Sequence, residues 1–162
     1  MPDQLTGFDL QQFIDTHGIA ATILPLEAHT ATVSDAARVL NVATAQIIKS
    51  LVFLNDGNPL LVINNGMARV DRKKLAGFLG VGRKRVKFAS ADQALEMTGY
   101  VVGSMPPFGH RHKLKTLVDP AVTTLEVIFG GGGDLDAMLR VTPKELLRVT
   151  GAEVVPVAEE GA

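Results

Sequence analysis

The sequence predicts a mixed α/β domain built around a strongly curved sheet. Three observations lead there. Short apolar runs bounded by Gly, Asn and Pro, such as SLVFL and PLLVIN, read as strands. Short segments that open on Ser, Thr or Asp and close on Gly read as helices. The two kinds do not alternate strictly, so a doubly wound parallel sheet is not indicated.

Taken in order, TGFDLQQFIDTHG opens with a capping box from Thr6 to Asp9 and stops at Gly18. IAATILPL is a short strand. SDAARVLNV is a helix with Ser34 as its N-cap, and TAQIIK is a brief helical turn entering the strand SLVFL. Asn55-Asp56-Gly57-Asn58 forms a hairpin loop, and PLLVIN returns. Both strands are apolar almost throughout, which predicts cover on both faces. Asp71 caps a helix through Leu79 that Gly80 ends, and RVKFA is the next strand. Ser90 and Gln93 form a second capping box on a helix ending at Gly99. Beyond the loop YVVGSMPPFGH come the strands KTLVD and TLEVIF, a turn of glycines from Gly130 to Gly133, and a strand near MLRV. Thr142, Pro143 and Glu145 supply the N-cap, the first position and the capping-box partner of the last helix. Gly151 ends it, EVVPV is the final strand, and AEEGA is expected to fray.

A chain of 162 residues suits one domain, residues 1–162, with a real core. Apolar residues at 46% and charged residues at 20% describe a soluble globular protein. No apolar run approaches the ~18 residues of a membrane span. The N-terminus carries acids and no basic prelude to an apolar run, unlike a secretory signal. The lack of cysteine removes disulfides, thiolate metal sites and thiol nucleophiles, and it fits a cytoplasmic chain.

The net charge of −1 hides an uneven distribution. Residues 69–115 hold 11 bases against 3 acids, whereas the flanking segments are acidic. The dense spots are RVDRKKL, GRKRVKF and HRHKLK. Such a segment is either a solvated face or a surface for a polyanion such as RNA.

Several chemistries are weak. The histidines are His17, His29, His110 and His112, of which the last two would share a strand face. Arg111, Lys113 and Lys115 beside them oppose a divalent cation and no third ligand is near, so no metal is expected. Ser34 and Ser90 read as caps. Ser104 does not sit in a G-x-S-x-G elbow and reads as a polar lining group. The glycines from Gly130 lack G-x-G-x-x-G spacing, and Asp134 and Asp136 would repel a pyrophosphate, so a tight turn suffices there.

Two features remain. Lys49 interrupts an otherwise apolar strip from Ile47 to Leu54. It either snorkels to water or has a partner that explains it. The run GYVVGSMPPFG places 3 glycines and 2 prolines in 11 residues. It is either a structural corner or a rigid array of backbone donors, of the kind an ester under hydrolysis needs at its oxyanion.

With TVSDAARVLNVATAQIIKSLVFL, LVINNGMARVDRKKLAGFLG, GYVVGSMPPFGH and TPKELLRVTGAEVVPV in that order, the chain resembles the YbaK family from Leu10 to Val157. This family includes free-standing relatives of the editing domain inserted in bacterial prolyl-tRNA synthetase. The resemblance implies a curved, barrel-like mixed sheet flanked by short helices. It implies a deacylase that hydrolyses the ester between a wrong amino acid and the terminal adenosine of a tRNA, with a family tendency toward the proline tRNA. No cofactor is implied; tRNA is the partner, and an aminoacyl-tRNA synthetase is a further partner left open. The family's lysine falls on Lys49 and its G-x-x-x-P loop on Gly103–Pro107. Gly103, Ser104, Met105, Pro106 and Pro107, with Gly109, would then shape the substrate pocket. No protein nucleophile is implied: a hydroxyl of the tRNA and a positioned water do the work. Lys49 would bind the phosphate or ribose side of the adenosine, or stabilise charge on the ester. Positioning fits better than proton abstraction, because a lysine of ordinary pKa, about 10.4, stays charged.

Met105 and Pro106 stand where many relatives carry small or polar residues, so no particular amino acid is carried over. GGGGDLDAML departs from the basic GGRRG-like turn of several relatives. The resemblance therefore leaves phosphate contacts to the basic middle segment: Arg72, Lys73, Lys74, Arg83, Lys84, Arg85, Arg111 and Lys113. Two rival readings stand: a non-catalytic module that binds tRNA or a synthetase, and a hydrolase of a small ester or nucleotide.

Overall fold

The computed structural model describes residues 4–27 and 32–160, and His29 lies outside them. The first helix, α1 (Gly7–Thr16), starts at the expected capping box, with Asp9 accepting from the Thr6 N–H at 2.8 Å. It is followed by β1 (Ala21–Pro25) and α2 (Val33–Leu40). The N-cap of α2 is Thr32, not Ser34: the Thr32 hydroxyl accepts from the Asp35 N–H at 3.0 Å, and Ser34 lies inside the first turn.

A 3₁₀ turn at Thr44–Gln46 leads into the hairpin of β2 (Ile48–Asn55) and β3 (Asn58–Asn65). Its two loop residues, Asp56 and Gly57, have φ of 50° and 83°, the left-handed pair that a tight hairpin turn requires. Next, α3 (Arg72–Leu79) runs from the Asp71 cap to Gly80, and a 3₁₀ turn at Arg83–Arg85 enters β4 (Val86–Phe88). The Ser90 capping box opens α4 (Ala91–Thr98), which stops at Gly99.

After the Gly/Pro loop come β5 (Lys115–Val118), the single turn α5 (Pro120–Thr123), β6 (Ile128–Gly131) and β7 (Ala137–Val141). Asp119, read from sequence as the end of a strand, is instead a buried junction. Its carboxylate accepts from Ala121 N–H at 3.0 Å, Val157 N–H at 2.9 Å and Ala158 N–H at 3.1 Å. The last helix is α6 (Pro143–Thr150), capped by Thr142 and ended by Gly151, with the short β8 (Glu153–Val154) after it. Glu145 does not complete a capping box. Its carboxylate accepts from Arg148 at 2.6 Å and from the Ala20 N–H at 2.6 Å, which hold its pKa down at about 2. The tail does not fray through Glu159, whose N–H donates to the Arg69 carbonyl at 2.8 Å.

The strands form two sheets, one in the order β1-β7-β6 and the other β4-β2-β3-β5-β8. The larger is mixed, antiparallel across β4, β2 and β3 and parallel from β3 through β8. Its two faces explain the apolar hairpin strands. Ile48, Val52, Leu61 and Ile63 face the main core toward the smaller sheet, α1 and α6. Phe53, Leu60 and Val62 face a second core under α3. Burying one such side chain contributes about 1.5–3 kcal/mol, so double cover fixes the register firmly.

A mixed, curved sheet is present, but it does not close into a barrel. Beyond their shared core, the sheets are joined among the described residues by an isolated bridge, Ile47 to Phe129. Between that bridge and the end of β4, the edge of β2 is open. No helix among the described residues is long and apolar enough to cross a membrane.

Candidate functional site

The open edge of β2 forms one wall of a cavity of about 420 Å³. In an antiparallel ladder, alternate residues turn their N–H and C=O to opposite edges. The Val52 carbonyl accepts from Ala89 N–H at 3.0 Å on the β4 side, so Ser50 presents its main-chain groups to the same edge, where β4 has ended. Ser50 lines the cavity, while its hydroxyl is buried without a partner.

Lys49 occupies the second position of β2, opposite Asn64 in register, and its side chain is exposed at the cavity. Among the described residues no carboxylate pairs with it. Asn64 is 1% exposed; its Oδ1 accepts from Asn65 N–H at 2.8 Å while its Nδ2 has no partner. Among the described residues, the polar side chains of the lining are those of Thr32, Lys49 and Ser50, with no His, Asp or Glu beside them.

Across the cavity stands the Gly/Pro loop, represented by Gly103 and Met105. The loop is rigid for stated reasons. Gly103 holds a φ of 98°, a conformation that side-chain-bearing residues avoid. The Ser104 carbonyl accepts from Gly133 N–H at 3.0 Å, and its hydroxyl donates to the Val101 carbonyl at 2.9 Å. His110 Nε2 lies 2.7 Å from the Pro106 carbonyl and donates to it, and Tyr100 donates its hydroxyl to the Gly109 carbonyl at 3.2 Å. Burial lowers the His110 pKa, and the bond to Pro106 opposes that shift in part. Burial, with smaller contributions from Asp9 and Asp134, raises the Tyr100 pKa, so its hydroxyl remains a donor.

The glycine run is more than a turn. Gly130 and Gly131 belong to β6, and Gly131 packs directly on the loop: a Cβ there would stand 2.5 Å from the Met105 carbonyl carbon. Main chain meets main chain at this point, which no residue with a side chain permits.

The expected substrate residues therefore separate. Lys49, Gly103 and Met105 share one cavity. Ser104 is fully buried and turned away, which also removes it as a nucleophile. Pro106 is buried and is not part of that lining, while Pro107 and Gly109 line a second cavity of about 410 Å³ behind the loop, beside Phe13, His110 and Lys113.

The expected phosphate contacts also divide. Arg72 is engaged within the fold, its Nε donating to the Val86 carbonyl at 3.0 Å and its Nη2 to that of Arg83 at 3.2 Å. Lys74 donates to the Ala158 carbonyl at 2.9 Å, and Arg85 lies 3.5 Å from Asp56. Lys73, Arg83 and Lys84 are exposed around α3 and the turn before β4. Arg111 and Lys113 lie elsewhere, on the segment behind the loop. Sequence reasoning missed Ser50, Asn64, Phe88 and Gly131. The signals available were a serine and an asparagine in apolar strands, and a glycine run longer than a turn needs.

A family model described as aminoacyl-tRNA editing domain matches residues 27–149. The chain is 29% identical over 133 residues to the uncharacterized protein YwhH of Bacillus subtilis (strain 168), a match covering 82% of this chain and 83% of that one. It is 35% identical over 81 residues to a proline–tRNA ligase of Thermodesulfovibrio yellowstonii, covering 49% of this chain and 13% of the ligase. The fold superposes with a TM-score of 0.88 and 31% identity on a crystal structure of a protein proposed as a trans-editing enzyme for prolyl tRNA synthetase, covering 94% of this chain and 96% of that one.

Proposed function

The chain belongs to the aminoacyl-tRNA editing domain family, and from that premise we propose that it is a free-standing deacylase acting in trans on a mischarged tRNA. The observation that carries the reading is the placement of Lys49 and the loop residues Gly103 and Met105 on one cavity. Water adds to the ester carbonyl, the ester C–O bond breaks, and the products are the free amino acid and the tRNA with its terminal hydroxyl restored. The Lys49 ammonium holds the anionic side of the acceptor end and opposes charge developing on the carbonyl oxygen. The loop fixes the acyl group against the open edge of β2, where Ser50 offers main-chain groups. No protein nucleophile is required: Ser104 is sealed, and among the described residues no general base lines the cavity to activate Ser50. Exposed cations near β4 meet the phosphate backbone.

The test is deacylation of a panel of mischarged tRNAs by the purified protein and by Lys49→Ala. Loss of a preorganised charge of this kind is expected to lower kcat by about 10²-fold or more. Equal rates in parent and variant would remove the role of Lys49. Firm tRNA binding with no turnover on any aminoacyl ester would leave a binding module.

A further inference from the structure

We infer that Phe88 is a stacking platform for an unpaired base of the tRNA 3′ end, and that the strand leaves the cavity toward Arg83 and Lys84, away from Asp134 and Asp136. The inference rests on the reading of the chain as acting on tRNA. Phe88 is 58% exposed, although it lines the cavity. Its ring stands edge-on to the buried Phe53, with centroids 5.1 Å apart and planes at 68°, so it is held in place while open to solvent. Val102 and Leu135 are the other exposed apolar residues of the same lining. Of the three, Phe88 alone has the π face that a base requires.

The register relates this ring to the lysine. Side chains alternate along β2, so Lys49, Leu51 and Phe53 lie on one face, and Phe88 is directly opposite Phe53. At roughly 3.4 Å per residue, Lys49 and Phe53 are about 14 Å apart along the strand. A cation at one end and an aromatic face at the other suit the charged and flat parts of a single-stranded nucleic acid.

Charge supplies the direction. Arg83 and Lys84 are exposed on the turn that feeds β4, and their side chains are not committed as that of Arg85 is to Asp56. On the opposite rim, Leu135 sits between the exposed carboxylates of Asp134 and Asp136. A phosphodiester chain is drawn to the first rim and repelled by the second.

The experiment titrates a single-stranded RNA ending in CCA, with 2-aminopurine as its last base, into the whole protein. The parent and Phe88→Tyr are expected to quench the fluorescence. Phe88→Leu, which keeps apolar bulk without a ring, is expected to bind on the order of tenfold more weakly and to lose the quench. Arg83→Ala combined with Lys84→Ala is expected to lower the slope of log affinity against log salt by about 1.4, and Asp134→Asn with Asp136→Asn to leave it unchanged. A Leu variant that binds and quenches like the parent overturns the stacking role and leaves the apolar rim to a protein partner. An unchanged slope in the Arg83 and Lys84 variant overturns the direction. A parent protein that binds no such RNA at low salt overturns the RNA reading itself, a separate failure.

Discussion

Gly131→Ala tests whether close main-chain packing sets the position of the loop. The new Cβ would stand 2.5 Å from the Met105 carbonyl carbon and 2.8 Å from that of Ser104. Both obstacles are backbone, so no rotamer change relieves them. Ordinary contact begins at 3.4 Å and the Met105 carbonyl oxygen is nearer still than its carbon, so the loop would have to recede by more than about 0.9 Å. It cannot do so freely, because Gly133 N–H holds the Ser104 carbonyl at 3.0 Å. Overpacking of this kind costs about 1–3 kcal/mol. A displacement near 1 Å at a reacting centre can cost about 10²-fold in rate. The assay is urea denaturation in parallel with kcat/KM on a mischarged tRNA. Gly82→Ala is the control: nothing lies within 4 Å of its Cβ position, its φ is −70°, and a change within about 0.5 kcal/mol is expected. If Gly131→Ala matches the parent in both stability and rate, the argument for a loop fixed by β6 fails.

His110→Ala leaves the Pro106 carbonyl without its 2.7 Å donor and is expected to cost about 1–3 kcal/mol in denaturation, with His110→Gln restoring part of it. Burial holds the folded His110 pKa below its ordinary 6.5, so on acidification the unfolded chain takes up this proton first. Stability contributed by the neutral imidazole is therefore complete above that value and declines as pH falls through it, and His110→Gln is expected to flatten the decline in melts recorded across the range. Arg72→Ala is expected to destabilise by about 1 kcal/mol, because its guanidinium bonds two carbonyls, while changing the salt slope of tRNA binding less than Lys84→Ala does.

The element boundaries were legible where a single residue type solves a local problem. Thr6, Asp71 and Ser90 each accept from N–H groups that a helix start leaves free, and Gly80, Gly99 and Gly151 each adopt a positive φ at a helix end. These features depend on neighbours within a few residues, so the sequence carries them openly. The features that escaped depend on distant partners. Asp119 is explained by Val157 and Ala158, Glu145 by Ala20, and Gly131 by Met105. The barrel-like arrangement stops short of closure for a related reason: closure depends on how far the β4 and β6 edges approach β2, and β4 is too short to reach Ser50. Lys49 stands out in sequence because a charge in an apolar strip is anomalous, and its exposure at the cavity resolves the anomaly.

The acyl group enters one of two cavities of similar volume, about 420 and 410 Å³. The most direct measurement is a crystal structure with a nonhydrolysable aminoacyl-adenosine analogue. The acyl carbonyl is expected between Lys49 Nζ and the Gly103–Met105 main chain, with the nucleoside directed toward Phe88. An analogue seated behind Pro107–Gly109, with Lys49 in bulk solvent, would contradict it.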